Sequence, residues 1–313
     1  MTGKPLHVSV VIVGFRNARD IERCLAALVA QSYADLEVVI VENGGPDAFE
    51  ALQAVASAVG IGGRTPKLID SGANLGFAGG VNRGMEESAD ADAWWVLNPD
   101  TQPAPEALAH LVDRLGRGDC QAVGGVLHFE DGRIQGLGGR WQAWIGRAVS
   151  LGSGSHVDDP VDVAAIERDM DYLLGASMLI GRPFLQAVGP MRDDYFLYAE
   201  EVEWFLRGGQ RGMKLGFAPR AQVLHHQGTT TGWGNQLRGR GRMPTYLDER
   251  NRLLVTRDRL PWRFPIVVAT SMVFMLARYG SRRAWRQIGY GVNGWLAAVR
   301  GERGQPRWMR PTV

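Results

Sequence analysis

Ala93-Trp94-Trp95-Val96-Leu97-Asn98-Pro99-Asp100-Thr101 is the stretch that decides what this chain folds into. Residues 94–97 are a short apolar run that reads as a buried strand, and the run stops at Asn98-Pro99-Asp100. Pro99 has no N–H for a sheet ladder, so the chain must leave the sheet there. The Asp100 carboxylate is then expected in a loop just past the carboxyl end of a strand, where open α/β sheets hold their ligands. A carboxylate so placed can hold a divalent cation, and the cation a diphosphate. Taken by itself, Asn-Pro-Asp-Thr reads more simply as a turn and helix cap. The rest of the chain reverses that preference.

Upstream, Val8-Ser9-Val10-Val11-Ile12-Val13 is a β-branched run of the kind buried on both faces of a parallel sheet. It ends at Gly14-Phe15-Arg16-Asn17. Ile21, Cys24, Leu25, Leu28 and Val29 then recur at helical spacing, with Asp20 as the expected N-cap. Glu37-Val38-Val39-Ile40-Val41 is a second strand, closed by Glu42-Asn43-Gly44-Gly45; a helix over residues 46–59 and a strand at 67–69 follow. This alternation predicts a parallel sheet with right-handed crossovers. Asn74-Leu75-Gly76-Phe77-Ala78-Gly79-Gly80 opens a further helix reaching residue 88.

Downstream, a helix is expected over 105–115 and a strand over 122–127. Residues 128–159, rich in glycine with Trp141 and Trp144, read as hairpins and loops over the site. Residues 172–180 are strand-like, 183–188 begin a short helix, and 194–211 read as a loop feeding a helix. A strand over 214–218 leads to Val223-Leu224-His225-His226-Gln227-Gly228-Thr229-Thr230. Past Pro244 a basic helix over 250–259 precedes a mostly apolar run, 262–277, bracketed by Arg263 and Arg278. That run is shorter than the roughly 20 apolar residues a spanning helix needs. It is read as a helix lying in a membrane interface, anchored by Trp262, Trp285 and Trp295, the alternative being a helix packed on the protein.

Composition agrees with a globular α/β protein. The 313 residues are 45% hydrophobic and 22% charged, and a net charge of +2 gives no case for nucleic acid. The arginines are uneven, however: residues 238–310 carry sixteen, which points to a surface for lipid headgroups or phosphates. Cys24 and Cys120 sit in apolar contexts and are expected as free buried thiols. The first residues show no secretory h-region, so the expected location is the cytoplasm, peripheral at the cytoplasmic face of a membrane.

The turns after successive parallel strands converge on one edge of the sheet, as a nucleotide site requires. Glu42 is placed to accept a base N–H, and the turn at residues 74–84 lets an anionic or sugar ligand approach a helix N-terminus. In Glu200-Glu201-Val202-Glu203, adjacent carboxylates repel and raise a pKa, which suits a general base; the same acids would also complement a helix dipole. His225 or His226 could complete a hard-cation site with Asp100, a diphosphate and water. There is no Gly-x-Ser-x-Gly elbow, no Cys-x-x-Cys and no Walker loop, and the glycines of residues 74–84 follow the third strand without forming a Gly-x-Gly-x-x-Gly.

Over residues 8–260 these pieces occur in the order seen in glycosyltransferase family 2, and together they most resemble its rhamnosyltransferase-type members of bacterial surface polysaccharide synthesis. The resemblance implies a GT-A fold, Rossmann-like with a mostly parallel central sheet flanked by helices. It also implies a Mn²⁺- or Mg²⁺-dependent inverting transferase using a dTDP- or UDP-sugar donor and a glycan or lipid-linked glycan acceptor. Asp100 resembles the second carboxylate of the family's metal motif, with Asn98 replacing the first, and His225 the late metal-ligand histidine, with His226 competing. Glu201 resembles the catalytic base, with Glu200 beside it. Donor-binding roles fall on Phe15, Asn17, Glu42, Asn43, Asn74, Gly76, Gly79, Asn82 and Asn98, with Glu42 as the base-reading acid, usually Asp. Acceptor-binding roles fall on Gly175, Ala176, Ser177 and Trp204. The implied division is a catalytic domain over 1–243, its nucleotide-sugar half about 1–127 and its acceptor half about 128–243. A helical, membrane-associating extension over 244–313 follows. The alternatives are a non-catalytic nucleotide-binding partner of the same fold and a sugar-phosphate nucleotidyltransferase.

Overall fold

The structure is a computed structural model and describes residues 5–226 and 237–309. Gln227, Gly228, Thr229 and Thr230, and part of the Gly/Arg-rich tract at 234–242, lie outside the described residues. The first half runs β1 (Val8–Gly14), α1 (Ala18–Val29), β2 (Leu36–Glu42), α2 (Pro46–Ala56), β3 (Lys67–Asp70), α3 (Gly76–Glu86) and β4 (Ala93–Leu97). Then come β5 (Thr101–Pro103), α4 (Ala107–Gly116), β6 (Ala122–His128), β7 (Ile134–Gly136), β8 (Gly139–Gln142) and β9 (Arg147–Ser150). The chain continues with α5 (Val163–Asp169), β10 (Ser177–Gly181), α6 (Arg182–Val188), α7 (Glu200–Gly209) and β11 (Leu215–His225). It closes with α8 (Arg242–Arg259), α9 (Phe264–Gly280) and α10 (Trp285–Val299).

The main sheet has the order β3-β2-β1-β4-β10-β6-β11-β5, with β7 on β6. β3, β2, β1 and β4 are mutually parallel, as the alternation predicted; β10 runs against both β4 and β6, so the sheet is mixed beyond β4. Four Cα steps separate the end of β4 from the start of β5, a reach of about 14 Å, whereas four spacings of a flat sheet are about 19 Å. The sheet therefore curls, bringing β5 and its partner β11 back toward β4.

Alternation sends Trp94 and Trp95 to opposite faces. Trp94 joins the core under α3, α6 and α7, and Trp95 the core under α1, α2 and α4. Each buried indole N–H is satisfied, Trp94 by the Ser88 carbonyl and hydroxyl at 3.2 Å and Trp95 by Ser177 Oγ at 3.0 Å. Truncating either to alanine would cost about 3–5 kcal/mol.

Several expectations are corrected. α1 starts at Ala18, and it is the Asn17 carbonyl that accepts from the N–H groups of Asp20 and Ile21; Asp20 sits in the first turn and pairs with Arg23. Only Ser177–Gly181 of the strand-like 172–180 run is β10, because Tyr172 pairs with Gly139 of the separate β8-β9 hairpin. Residues 215–225 form the single strand β11 rather than a strand and a separate lead-in. Its register on β6 slips between Phe217 and Gln222, where Pro219 has no N–H to give. α8 begins at Arg242, a full two turns earlier than expected, and packs along α10. Cys24 and Cys120 are both free and buried, and burial pushes the Cys24 thiol up to about 12.

Candidate active site

Because β1, β2 and β4 are parallel and in register near their ends, with Gly14 opposite Glu42 and Ile12 opposite Leu97, their following turns share one edge of the sheet. A cavity of about 1090 Å³ lies over that edge. Phe15, Asn17, Asn43, Asn74, Gly76 and Asn98 line it from the donor-type turns. Gly175, Ala176, Glu200 and Glu201 line it from the segments before β10 and at the start of α7, and Asp100 and His225 complete the set.

β5 and β11 pair antiparallel with His225 opposite Thr101, and this register sets His225 beside Asp100. His225 Nε2 stands 3.3 Å from Asp100 Oδ1, and both side chains are nearly buried. The other ring nitrogen, Nδ1, lies 2.8 Å from Gln135 Oε1, which can only accept, so Nδ1 carries a proton and Nε2 is the nitrogen turned toward the carboxylate. Gln135 also donates to the His225 carbonyl at 2.5 Å. The 3.3 Å separation accommodates either a proton or a cation between Nε2 and the carboxylate oxygen. His226 turns away: its Nε2 is 2.7 Å from Gln102 and its Nδ1 3.2 Å from Glu130. Among the described residues no group of three or more His, Cys, Asp or Glu side chains gathers to hold a metal, so Asp100 and His225 could supply at most part of a coordination shell.

The acidic cluster divides. Glu201 faces the cavity, where burial raises its carboxyl to about 7 against the opposing pull of backbone N–H groups at the start of α7, with Asp248 adding to the rise. Glu200 is 1% exposed and its carboxyl is pushed well above the usual range by burial and by Glu201. Glu203 points the other way, into ion pairs with Arg207 at 3.1 Å and Arg259 at 3.3 Å.

The segment that delivers Glu200 and Glu201 is strained. Phe196, Tyr198 and Ala199 have φ of 69°, 73° and 66°, a left-handed region that costs a non-glycine residue roughly 1–2 kcal/mol each. α8 holds it. Asn251 Nδ2 reaches the carbonyls of Tyr195, Leu197 and Tyr198 at 3.0, 2.8 and 2.8 Å, and Arg250 donates to Tyr195 O at 2.8 Å. The donor-type turn locks onto the same segment through Phe77 N–H to Phe196 O at 2.9 Å. Gly76, at φ +74°, has no room for a Cβ, which would stand 2.1 Å from Phe196 O.

Five residues singled out in the sequence do not line the cavity. Trp204 is fully buried, donates to Gly189 O at 2.8 Å and packs edge-on against Phe184, so it is a core residue. Asn82 exchanges both hydrogen bonds with the Met191 backbone, and Ser177 Oγ receives the Trp95 indole. Gly79 lies a turn inside α3, against Leu75. Glu42 stands just behind the wall: its Oε1 accepts from Arg16 and Gly44 N–H at 3.0 and 2.7 Å, while Oε2 is buried with no hydrogen-bond partner among the described residues. Conversely, the cavity is lined from α8 by Asp248, Glu249 and Arg252, which sequence reading passed over inside a basic helix. Two adjacent acids, Asp248-Glu249, in an otherwise arginine-rich tract were the available signal.

Residues 9–150 match the family model described as Glycosyl transferase family 2. The N-acetylglucosaminyl-diphospho-decaprenol L-rhamnosyltransferase of Mycobacterium tuberculosis is 28% identical, over 71% of this chain and 77% of its own. The low-salt glycan biosynthesis hexosyltransferase Agl10 of Haloferax volcanii is 23% identical, over 96% and 94%. Among solved structures, a mannosyltransferase from Pyrobaculum calidifontis, in complex with GDP-Man and Mn²⁺, superposes with a TM-score of 0.59 at 15% identity, covering 95% of this chain and 88% of that one. The fold is the GT-A fold.

Proposed function

Starting from a glycosyltransferase whose residues 9–150 form a glycosyl transferase family 2 domain, we propose a metal-dependent transfer that inverts the anomeric centre. A sugar passes from a nucleoside-diphospho-sugar to a glycan or lipid-linked glycan. The observation that carries this reading is the 3.3 Å approach of His225 Nε2 to Asp100 Oδ1 in the same cavity as Glu201.

Asp100 and His225 offer one carboxylate oxygen and one imidazole nitrogen, a pair that Mn²⁺ or Mg²⁺ accepts when substrate phosphates and water supply the rest. Such a cation, when bound, supplies positive charge against the departing nucleoside diphosphate. Phe15, Asn17, Asn43, Asn74 and Asn98 bind and orient the donor. Glu42, directly behind Asn43, is the residue proposed to read the base, with dTDP or UDP as the nucleotide. Gly175 and Ala176 leave a small-residue strip next to Glu201 for the acceptor. Glu201 takes the proton of the acceptor hydroxyl as its oxygen bonds to the anomeric carbon and the bond from that carbon to the diphosphate breaks. Burial, with Asp248 adding to it, raises the Glu201 carboxyl to about 7, so that it can exchange a proton near neutrality.

Rhamnose is the sugar proposed, in keeping with the name of the mycobacterial relative. The boundary expected after residue 243 falls inside α8, whose Asp248, Glu249 and Arg252 line the cavity. The catalytic unit is therefore proposed to run through α8, split near 127 into donor and acceptor halves, with α9 and α10 as the part meeting the cytoplasmic face of a membrane. A panel of dTDP- and UDP-sugars, each with and without Mn²⁺, tests the reading through product formation on a lipid-diphosphate acceptor. Manganese-dependent transfer that vanishes in Glu201→Gln is expected; unchanged turnover in that variant or in excess chelator would sink it.

A further inference from the structure

α9 is amphipathic the wrong way round for a helix meeting water. Its inner side buries Val267, Ser271, Met275 and Tyr279. Its outer side carries Ile266, Ala269, Val273, Leu276 and Ala277 and no charged residue, with Val273 67% exposed. Trp262, 62% exposed, and Trp144 extend this face past the helix start, their rings 5.6 Å apart and edge to face. The Arg263 guanidinium lies over both, at 4.4 and 4.3 Å. Arg278, Arg282, Arg283 and Arg286 stand exposed around the other end, beside Trp285, itself 68% exposed.

Charge says what covers this face. Across residues 260–301 the chain has six arginines and no aspartate, glutamate or lysine. A second copy of the chain related by a two-fold axis would set arginine against arginine. A sheet of anionic headgroups complements them, with tryptophans at the headgroup level and apolar side chains below. At 17 residues the helix is about 26 Å long, short of a bilayer's hydrocarbon core, and no helix among the described residues is long and apolar enough to cross a membrane. The cavity bears on the same region: Phe274, Arg278 and Arg282 line it and are also exposed.

We propose that the outer face of α9, with Trp144 and Trp262 at one end and the exposed arginines at the other, docks onto an anionic lipid bilayer and turns the cavity mouth at Phe274, Arg278 and Arg282 toward it. A lipid-linked acceptor would then bring its diphosphate to Arg278 and Arg282 without leaving the bilayer. That second step rests on the transfer reading above; the docking does not.

The test is co-sedimentation of the full chain with vesicles of phosphatidylcholine alone and of phosphatidylcholine with added phosphatidylglycerol. Binding to the anionic vesicles that weakens with salt is expected. Val273→Asp should abolish it, and Arg286→Glu should lower the partition coefficient about five-fold or more, the value of one arginine near an anionic surface. Both substitutions are at exposed positions, so the melting temperature should hold. Transfer to a short water-soluble acceptor should be unchanged in both variants, while transfer to an acceptor embedded in vesicles falls. Absence of binding to anionic vesicles, or equal binding by Val273→Asp, overturns the docking. So does a concentration-dependent dimer that Val273→Asp dissolves in a chain that ignores vesicles. Vesicle binding in a chain inactive toward every acceptor supports the docking and counts against the transfer reading alone.

Discussion

Nδ2 of Asn251, in the middle of α8, stands 2.8 Å from the carbonyl oxygen of Tyr198, three residues before the carboxylate proposed as the base. Tyr198 and Ala199 both hold left-handed backbone there, and a strained segment keeps its shape only when its surroundings over-determine it. The helix read from sequence as a basic appendage thus holds the segment that leads into Glu200 and Glu201.

Asn251→Asp keeps the shape of the side chain but replaces the donor with a charged acceptor facing three carbonyls. The expected outcome is a loss of about 1–3 kcal/mol in stability together with a lower kcat, while KM for the donor stays near that of the parent chain. Urea melts and steady-state kinetics check it. A stability loss with kcat intact would make Asn251 a packing residue and nothing more.

Glu201 sets the pH dependence. Its carboxyl is raised to about 7, so the fraction able to accept a proton grows as pH rises through neutrality. kcat should climb with an apparent pKa near 7 and level off above it, with Glu200 and Glu201 titrating as a pair. The stability sign is the reverse of the usual carboxylate. A pKa raised on folding means that stability is fully present below the unfolded value near 4.5 and is lost as pH rises toward 7. Glu201→Gln should therefore be inactive yet more stable than the parent chain at pH 8, on the order of 2 kcal/mol. A flat kcat profile between pH 5 and 9, with pH values set by the experimenter on either side of about 7, would remove Glu201 from proton transfer.

Asp100→Ala leaves His225 Nε2 without the carboxylate it faces at 3.3 Å. Donor with Mn²⁺ at about 100 times its dissociation constant adds roughly 2.7 kcal/mol to a chain that binds it. That stabilisation should disappear in the variant, read as loss of the manganese-dependent rise in melting temperature. Gln135→Leu frees the Nδ1 side of the same ring and should weaken manganese binding about 10–100-fold with the fold intact.

Gly76→Ala puts a methyl where Phe196 O stands 2.1 Å away, on a residue at φ +74°. Either strain alone costs about 1 kcal/mol or more. Because Phe196 belongs to the segment that carries Glu200 and Glu201, kcat should fall along with melting temperature. Full activity in a destabilised Gly76→Ala chain would show that the two turns are not coupled.

Much of the site was legible because it is local. Strands rich in β-branched residues end in polar turns, and parallel strands place consecutive turns on one edge; hence Asn17, Asn43, Asn98 and Asp100 meet. Trp204 was misplaced for a different reason. It is an aromatic next to acids on α7, but its ring is taken up by Phe184 and its indole N–H by the Gly189 carbonyl, partners that the sequence does not place beside it. Ser177 and Asn82 look like ligand-binding polar groups in sequence, yet their hydrogen bonds are taken up by Trp95 and by the Met191 backbone.

From its sequence alone this chain determined an α/β architecture, the order of its turns and the residue types at the sheet's carboxyl edge, because period and punctuation act over a few residues. Three things needed the tertiary structure. The curl that brings β11 back toward β4 set His225, and not His226, beside Asp100, through a register slip at Pro219 and the pairing of His225 with Thr101. The packing of α8 made Asn251 the clamp on a strained segment some fifty residues away. The packing of α9 decided which of its sides was left bare. Each depends on contacts between residues far apart in the chain, and the energy of such a contact exists only once the backbone has brought both partners together.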